Sequence, residues 1–381
     1  MKWHIGGFLH SGGNLMHLNS NFRFLKLFAP LALFLSQGYA APRYDHVVVV
    51  VLENSGYAQV IGSADAPFIN KQLVKGGVSL SNAFGEQHPS QPNYYWLFSG
   101  SNQGITTDDA PWPSSDPGPV FDTNNLWLEL RNNPPSPNFF FGYVDSGSKK
   151  PVTDVWVDTD TYATKHVPWL GFTNIFNGNP AAVTRDFGLH FPRTADGFRL
   201  LPTVSFVIPA LNHDMHSYNK QGDSVANYKE SRKAVRTGDA WLRKNLWDYA
   251  KWAKTHNSLL IITFDEDSTA DWPTPVSQGG GGINGGTNPE GMTSPILHFQ
   301  QSDDTSGPNQ IPMVFYGAHL SKKGRYTLPD RVGVNNINLL RTIESFYQLG
   351  RSGAQYPLAL ASGMDDGPIF EIFDHDCVVC E

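Results

Sequence analysis

The chain is poor in cysteine, in charge and in long runs of any one kind. Its 381 residues hold two cysteines, Cys377 and Cys380, both in the terminal "CVVCE". That excludes a disulfide framework. A redox or metal role would need the pair beside a helix start or a second ligand pair, and neither is visible. In an exported protein the pair allows a small terminal disulfide loop. There is no basic run, and 28 Lys and Arg stand against 35 Asp and Glu, for a formal net charge of −7. This balance argues against a nucleic-acid backbone as the partner. No apolar stretch is long enough for a comfortable membrane span, so no stable span is expected once a leader is removed.

What is present is ample apolar material. The chain is 40% hydrophobic and 17% charged, enough to bury a large core in one big α/β domain or two ordinary ones. Residues 1–26 carry Lys2, Arg23 and Lys26 and no acid, and "LFAPLALFLSQGYA" then ends in small residues. This reads as a secretory leader over 1–40, cut near Ala40, with Met16 as a second start. Export to a periplasm or beyond is the expectation, and residues 41–381 form a single domain.

"HVVVVVLEN" (46–54) is an uninterrupted β-branched run, the pattern of a strand covered on both faces. "PTVSFVIPAL" (202–211), "SLLIITFDED" (258–267) and "IPMVFYG" (311–317) repeat it. Between them, 238–256 places Trp241, Leu242, Leu246, Tyr249 and Trp252 at helical steps, and 336–350 is a further helix ended by Gly350. The alternation predicts an α/β fold: a doubly wound, mostly parallel sheet with helices on both faces. Residues 101–200 are turn-rich and read as a loop insertion, and 277–295 is too rich in glycine to pack.

In such a sheet, ligands sit beyond the carboxyl ends of the strands. There the first strand delivers Glu53 and Asn54, the second "NHDMH" with His213, Asp214 and His216, and the third Asp265, Glu266 and Asp267. Singly, each is an ordinary strand end or turn. Together, so many carboxylates at one edge would repel one another unless a cation held them. The oxygen-rich set favours a hard divalent ion, Ca, Mg or Mn, with Zn allowed by the histidines.

"HPSQPNYYWLFSG" (88–100) adds a serine at a helix mouth. As a cap, Ser90 would only satisfy a backbone N–H. Beside a metal and a helix N-terminus it is a nucleophile for phosphoryl transfer, with Asn93 reaching back to a phosphate oxygen. His88 is open between ligand, proton carrier and packed imidazole.

Seven segments, "VVLENSGY", "HPSQPNYYWLFSG", "YATKHVPW", "FVIPALNHDMHS", "GDAWLRKNL", "LLIITFDED" and "NNINLLRTIESFYQLG", stand in the order seen in the phosphoesterase family of acid phosphatases and phospholipases C. The chain resembles that family over roughly 43–350. The family is similar in fold to alkaline phosphatase and the sulfatases. The resemblance implies metal-assisted phosphoester hydrolysis, with Glu53, Asn54, Asp265 and Glu266 as ligands and Ser90 as a nucleophile that touches the metal. It assigns Asp214 and His216 to the phosphate side, as ligands of a second metal or as the leaving-group proton donor. Tyr162, Lys165 and His166 match a further motif, in which Lys165 or His166 neutralises phosphate charge. Asn336 stands where many members have histidine.

The expected activity is an acid phosphatase acting on a small phosphate ester. The alternative is a phospholipase C that uses the aromatic segment "NFFFGYV" (138–144), with Trp112, Trp156 and Trp169, as a lipid landing surface. A non-catalytic exported binding protein is the remaining reading. Ser90 followed by Gln-Pro-Asn does not make a sulfatase motif.

Overall fold

The computed structural model describes residues 41–112, 115–133, 140–148, 150–216, 228–267, 309–331, 333–353 and 367–374. The leader, the glycine-rich loop 277–295 and both cysteines lie outside the described residues.

The strands are β1 (His46–Leu52), β2 (Val78–Leu80), β3 (Ala83–Phe84), β4 (Phe140–Val144), β5 (Thr184–Asp186), β6 (Val204–Ile208), β7 (Ser258–Phe264), β8 (Met313–Gly317), β9 (Gly324–Tyr326) and β10 (Val334–Asn335). Eight of them form one sheet in the order β5-β4-β6-β1-β7-β8-β2-β9, and β3 pairs with β10. All neighbours in the large sheet are parallel except β8, which opposes both β7 and β2. Strand β8 was expected among the parallel run. A strand buried on both faces carries the same apolar pattern in either direction, so its sequence is silent on polarity.

The helices are α1 (Tyr57–Val60), α2 (Ser90–Ser99), α3 (Leu126–Asn132), α4 (Phe187–His190), α5 (Ala195–Phe198), α6 (Tyr228–Ala253) and α7 (Asn336–Phe346). They cover both faces of the sheet. On one face Phe140 of β4 and Phe206 of β6 pack against Phe98 of α2. Tyr143, on the opposite side of the pleat, meets Phe191, which in turn meets Tyr249 of α6. Helix α6 begins ten residues earlier than its apolar periodicity suggested, because its first turns are rich in charge, with only Ala234 and Val235 as buried apolar residues among the described side chains before Gly238. Helix α7 is capped by Asn335, whose side chain accepts from the Ile337 and Asn338 amides at 3.0 and 3.1 Å, and it stops at Phe346, short of Gly350.

The stretch 101–200 is more than an insertion over one edge, since it supplies β4 and β5. Residues 140–144 of the segment read as a landing surface are strand β4, with Phe140 and Tyr143 buried; residues 138 and 139 lie outside the described residues. Trp169 is wholly buried against it, at a place where a Cβ on Gly142 would lie 2.0 Å from the indole. Trp112 is also buried and packs edge-on against Trp156. Trp112, Phe140, Tyr143 and Trp169 are core residues and so do not form a lipid-landing surface, while Phe141 and Trp156 are half-buried against them.

Candidate active site

Parallel pairing of β1 with β7 runs in register to Leu52 opposite Phe264. The next residues of both strands therefore emerge together at the carboxyl edge. The Asp265 amide donates to the Leu52 carbonyl at 3.1 Å, and the Asn54 amide donates to Asp265 Oδ1 at 3.1 Å. Asn54 holds a left-handed φ of +35°, which asparagine tolerates better than most residues. From β6, the Asp214 carbonyl accepts the Glu53 N–H at 2.8 Å, which ties the "NHDMH" turn to the same edge. Met215 within that turn has φ +79°, an unusual conformation for a long side chain and of the kind that collects at functional sites.

Ser90 opens α2, but it does not cap the helix. The cap position is Pro89, with no side-chain hydrogen bond, and the Ser90 hydroxyl turns instead into the acids. Its Oγ lies 2.9 Å from Glu266 Oε1, 3.2 Å from Glu53 Oε2 and 3.2 Å from Asn54 Oδ1. One hydroxyl proton serves one acceptor; Glu266 Oε1 also accepts from Asn54 Nδ2 at 2.7 Å, and the Glu53 and Asn54 oxygens crowd beside it. Asp265 Oδ2 is buried with no hydrogen-bond partner. Among the described residues no three His, Cys, Asp or Glu side chains are spaced to hold an ion by themselves. The oxygen cluster reaches its size only when Ser90 and Asn54 are included. That donor chemistry, all oxygen and short of protons, fits a hard divalent cation.

The electrostatics agree. Burial pushes the Glu53 carboxyl up to about 7, against the pull of Lys165 and the hydrogen bond from Tyr94. Burial, then the charges of Glu53 and Glu266, hold Asp265 well above the carboxylate range. Carboxylates packed this way resist ionising together unless a cation joins them.

The three imidazoles differ. His88 lies between the Glu266 carboxylate and Asp267, whose Oδ1 is 3.4 Å from Nε2. Burial opposes its charge, yet the two acids win and raise it to about 10. His166 is buried, stacked on Tyr94, with Nε2 3.2 Å from Glu53 Oε1; burial, then Lys165 and His216, keep it neutral. His216 lies 3.8 Å from Glu53 Oε2 with 26% of its side chain exposed, and burial followed by Lys165 lowers it to about 4.

One expected contact is used otherwise, and a second residue is tied into its own turn. Asn93 does not face the cluster: its amide accepts from the Gln87 N–H at 3.0 Å and donates to the Gln87 carbonyl at 2.7 Å, clamping the loop before Ser90. Asp214 Oδ1 accepts the His216 N–H at 2.8 Å, a bond within its own turn. Asn336 is buried behind the site. It donates to the Phe264 carbonyl at 3.0 Å and accepts from Thr263 Oγ1 at 2.9 Å, so it holds the end of β7.

Sequence reasoning missed Tyr94, Asp108 and Gln91. Tyr94, whose hydroxyl donates to Glu53, sits four residues after Ser90 on the same helix face, a spacing that was legible. Asp108 pairs with Lys165 from a turn-rich stretch with no local signal.

The Phosphoesterase family model matches residues 63–350, a span that contains Ser90, His166, Asp214, His216, Asp265 and Glu266 and leaves Glu53 and Asn54 just upstream. A phosphatidylinositol-3-phosphatase of Mycobacterium tuberculosis (strain ATCC 25618 / H37Rv) is 35% identical over 314 residues, covering 82% of this chain and 80% of that protein. A phosphate-repressible acid phosphatase of Penicillium chrysogenum is 26% identical over 240 residues, covering 61% of this chain and 50% of the fungal protein, so the chain spans half of that relative's length. Among solved structures, the lipoteichoic acid synthase LtaP from Listeria monocytogenes aligns at a TM-score of 0.48 and 12% identity, over 86% of this chain and 77% of that one.

Proposed function

The chain belongs to the Phosphoesterase family and is a hydrolase of phosphoric esters; from that premise we propose an exported, metal-dependent acid phosphatase in which Ser90 is the nucleophile. The observation that carries this reading is the Ser90 hydroxyl within 3.2 Å of oxygens from Glu53, Asn54 and Glu266. A divalent cation at Glu53, Asn54, Ser90, Asp265 and Glu266 would draw the hydroxyl towards its alkoxide and offset phosphoryl charge.

Ser90 attacks phosphorus in line as the ester P–O bond breaks, releasing its hydroxyl proton and forming a phosphoseryl enzyme; water then cleaves the phosphoserine to inorganic phosphate and returns a proton to Ser90. The first turn of α2 directs backbone N–H groups at the phosphoryl oxygens, and Lys165 neutralises their charge. His216, the most exposed of the three imidazoles and neutral above about 4, relays the proton released by Ser90 to the departing alkoxide. His88 holds Glu266 and Asp267 in place, and His166 backs Glu53.

A lipid-borne phosphomonoester is the second reading, favoured by the name of the mycobacterial relative. Phospholipase C chemistry loses the support of Trp112, Phe140, Tyr143 and Trp169, which are buried.

The deciding experiment is phosphate release from a chromogenic monoester, between acid and neutral pH, with and without chelator. Wild type should turn over and be silenced by chelator. Ser90→Ala should lose at least about a thousandfold in kcat. Near-normal turnover in Ser90→Ala would sink the scheme.

A further inference from the structure

Ser90 is 2% exposed, so a substrate does not meet its hydroxyl directly from solvent. Beside it lies a pair that is open to water. Lys165 Nζ and Asp108 Oδ2 are 2.6 Å apart, with 28% and 37% of their side chains exposed. The other oxygen of the same carboxylate, Asp108 Oδ1, accepts the Gln91 N–H at 3.0 Å. Gln91 is the residue after Ser90 in the first turn of α2. Its side-chain amide, oriented so that the nitrogen meets acceptors, donates to the Asp108 and Asp109 carbonyls at 3.1 and 2.8 Å.

One carboxylate thus holds a helix N-terminal amide adjoining the nucleophile and the ammonium group whose charge acts on Glu53 and Asp265. Those two donors are what a phosphoryl group bound at Ser90 requires, because the other side of the cluster presents only acid oxygens.

We propose that Asp108 is a built-in stand-in for the substrate phosphoryl group, occupying the Gln91 amide and Lys165 in the resting enzyme and leaving when the ester binds. The inference rests on the phosphatase reading above and deepens it. Displacement is favoured by charge: a phosphate monoester brings up to two negative charges to Lys165, and Asp108 brings one. It is also cheap, since an exposed ion pair is among the weaker electrostatic contacts in a protein and its carboxylate moves into water. Asp108 therefore sets phosphate affinity and leaves the chemistry to Ser90.

The test is calorimetric titration of inorganic phosphate into wild type, Asp108→Asn, Asp108→Ala, Asp108→Glu and Lys165→Ala, beside KM and kcat for a chromogenic monoester. Asp108→Asn and Asp108→Ala should bind phosphate about tenfold tighter, with KM lowered in step, as one competing charge-assisted contact is removed. Asp108→Glu should stay near wild type, and Asp108→Asn combined with Lys165→Ala should lose the gain. A higher KM or weaker phosphate binding in Asp108→Asn would show that Asp108 merely positions Lys165 and would overturn the proposal. Equal affinity in wild type and variant, including none detectable in either, overturns it too. Calorimetry needs no turnover, so a wild type that binds phosphate but hydrolyses no ester would fail the phosphatase reading while still deciding the role of Asp108.

Discussion

Leu52 and Phe264 end two parallel strands in register, and that pairing sets Glu53 beside Asp265. Neither acid would choose this neighbour. Both are buried, both are pushed above the ordinary carboxylate range, and the backbone ladder holds them there.

On the proposed metal reading, Asp265 destabilises the metal-free protein by repulsion and would secure a metal-bound one. In chelator, Asp265→Asn should melt higher than wild type, since the amide still accepts the Asn54 N–H and adds no charge. With Ca, Mg, Mn or Zn added, wild type should rise by several degrees and the variant should not. Differential scanning fluorimetry across the four ions reads this, and a variant that still responds would remove Asp265 from the ligand set.

Asn93 works through the loop it clamps. Asn93→Ala frees both backbone groups of Gln87 and should cost about 1–3 kcal/mol. It should lower kcat by disturbing His88 and Ser90 while leaving phosphate affinity nearly unchanged. A large loss of phosphate binding at unchanged stability would return Asn93 to the phosphate contact expected from sequence.

Gly238 lies inside α6, where alanine ordinarily stabilises a helix by about 1 kcal/mol. Here an added Cβ would stand 2.4 Å from Met215 Cγ and 2.9 Å from the His213 carbonyl. The methionine can swing away, but the carbonyl belongs to the turn that carries Asp214 and His216. Gly238→Ala should therefore lose about 1–3 kcal/mol net of the helical gain and lower kcat about tenfold, as checked by urea unfolding and steady-state rates.

Asp65 joins the turn after α1 to α6 through Arg232 and Arg236. Burial alone would raise its carboxyl, but hydrogen bonds from Arg232 and then Arg236 outweigh it and hold the group below 3.8. A depressed folded value means that this stabilisation is complete above the unfolded value and disappears as pH falls through the folded one. Asp65→Asn should cost about 1 kcal/mol at pH 7, with the gap closing below 3.8. Urea midpoints from pH 7 to 2.5 would show it; a gap constant with pH would assign the loss to packing.

Much was legible locally because the physics was local. Uniform β-branched runs gave β1, β6 and β7, and the acids that follow them marked one edge of a parallel sheet. Stretch 101–200 misled because its strands are short and lie among proline and glycine, so composition spoke for loops while β4 and β5 extended the sheet. Asn93 misled because an amide one turn into a helix can face a ligand or fold back on the preceding loop, and only the path of that loop decides.

By itself the sequence determined which side chains stand at the carboxyl ends of the strands, since the length of each apolar run and the position of the first polar residue after it are covalent facts. It determined, too, that Ser90 opens a helix. The tertiary structure alone decided that Ser90 turns away from the cap towards Glu53 and Glu266, that β8 runs against its neighbours, and that Asp108 reaches Lys165. Each depends on where distant backbone segments are packed, and burial, repulsion and hydrogen-bond satisfaction act between residues that are neighbours only in space.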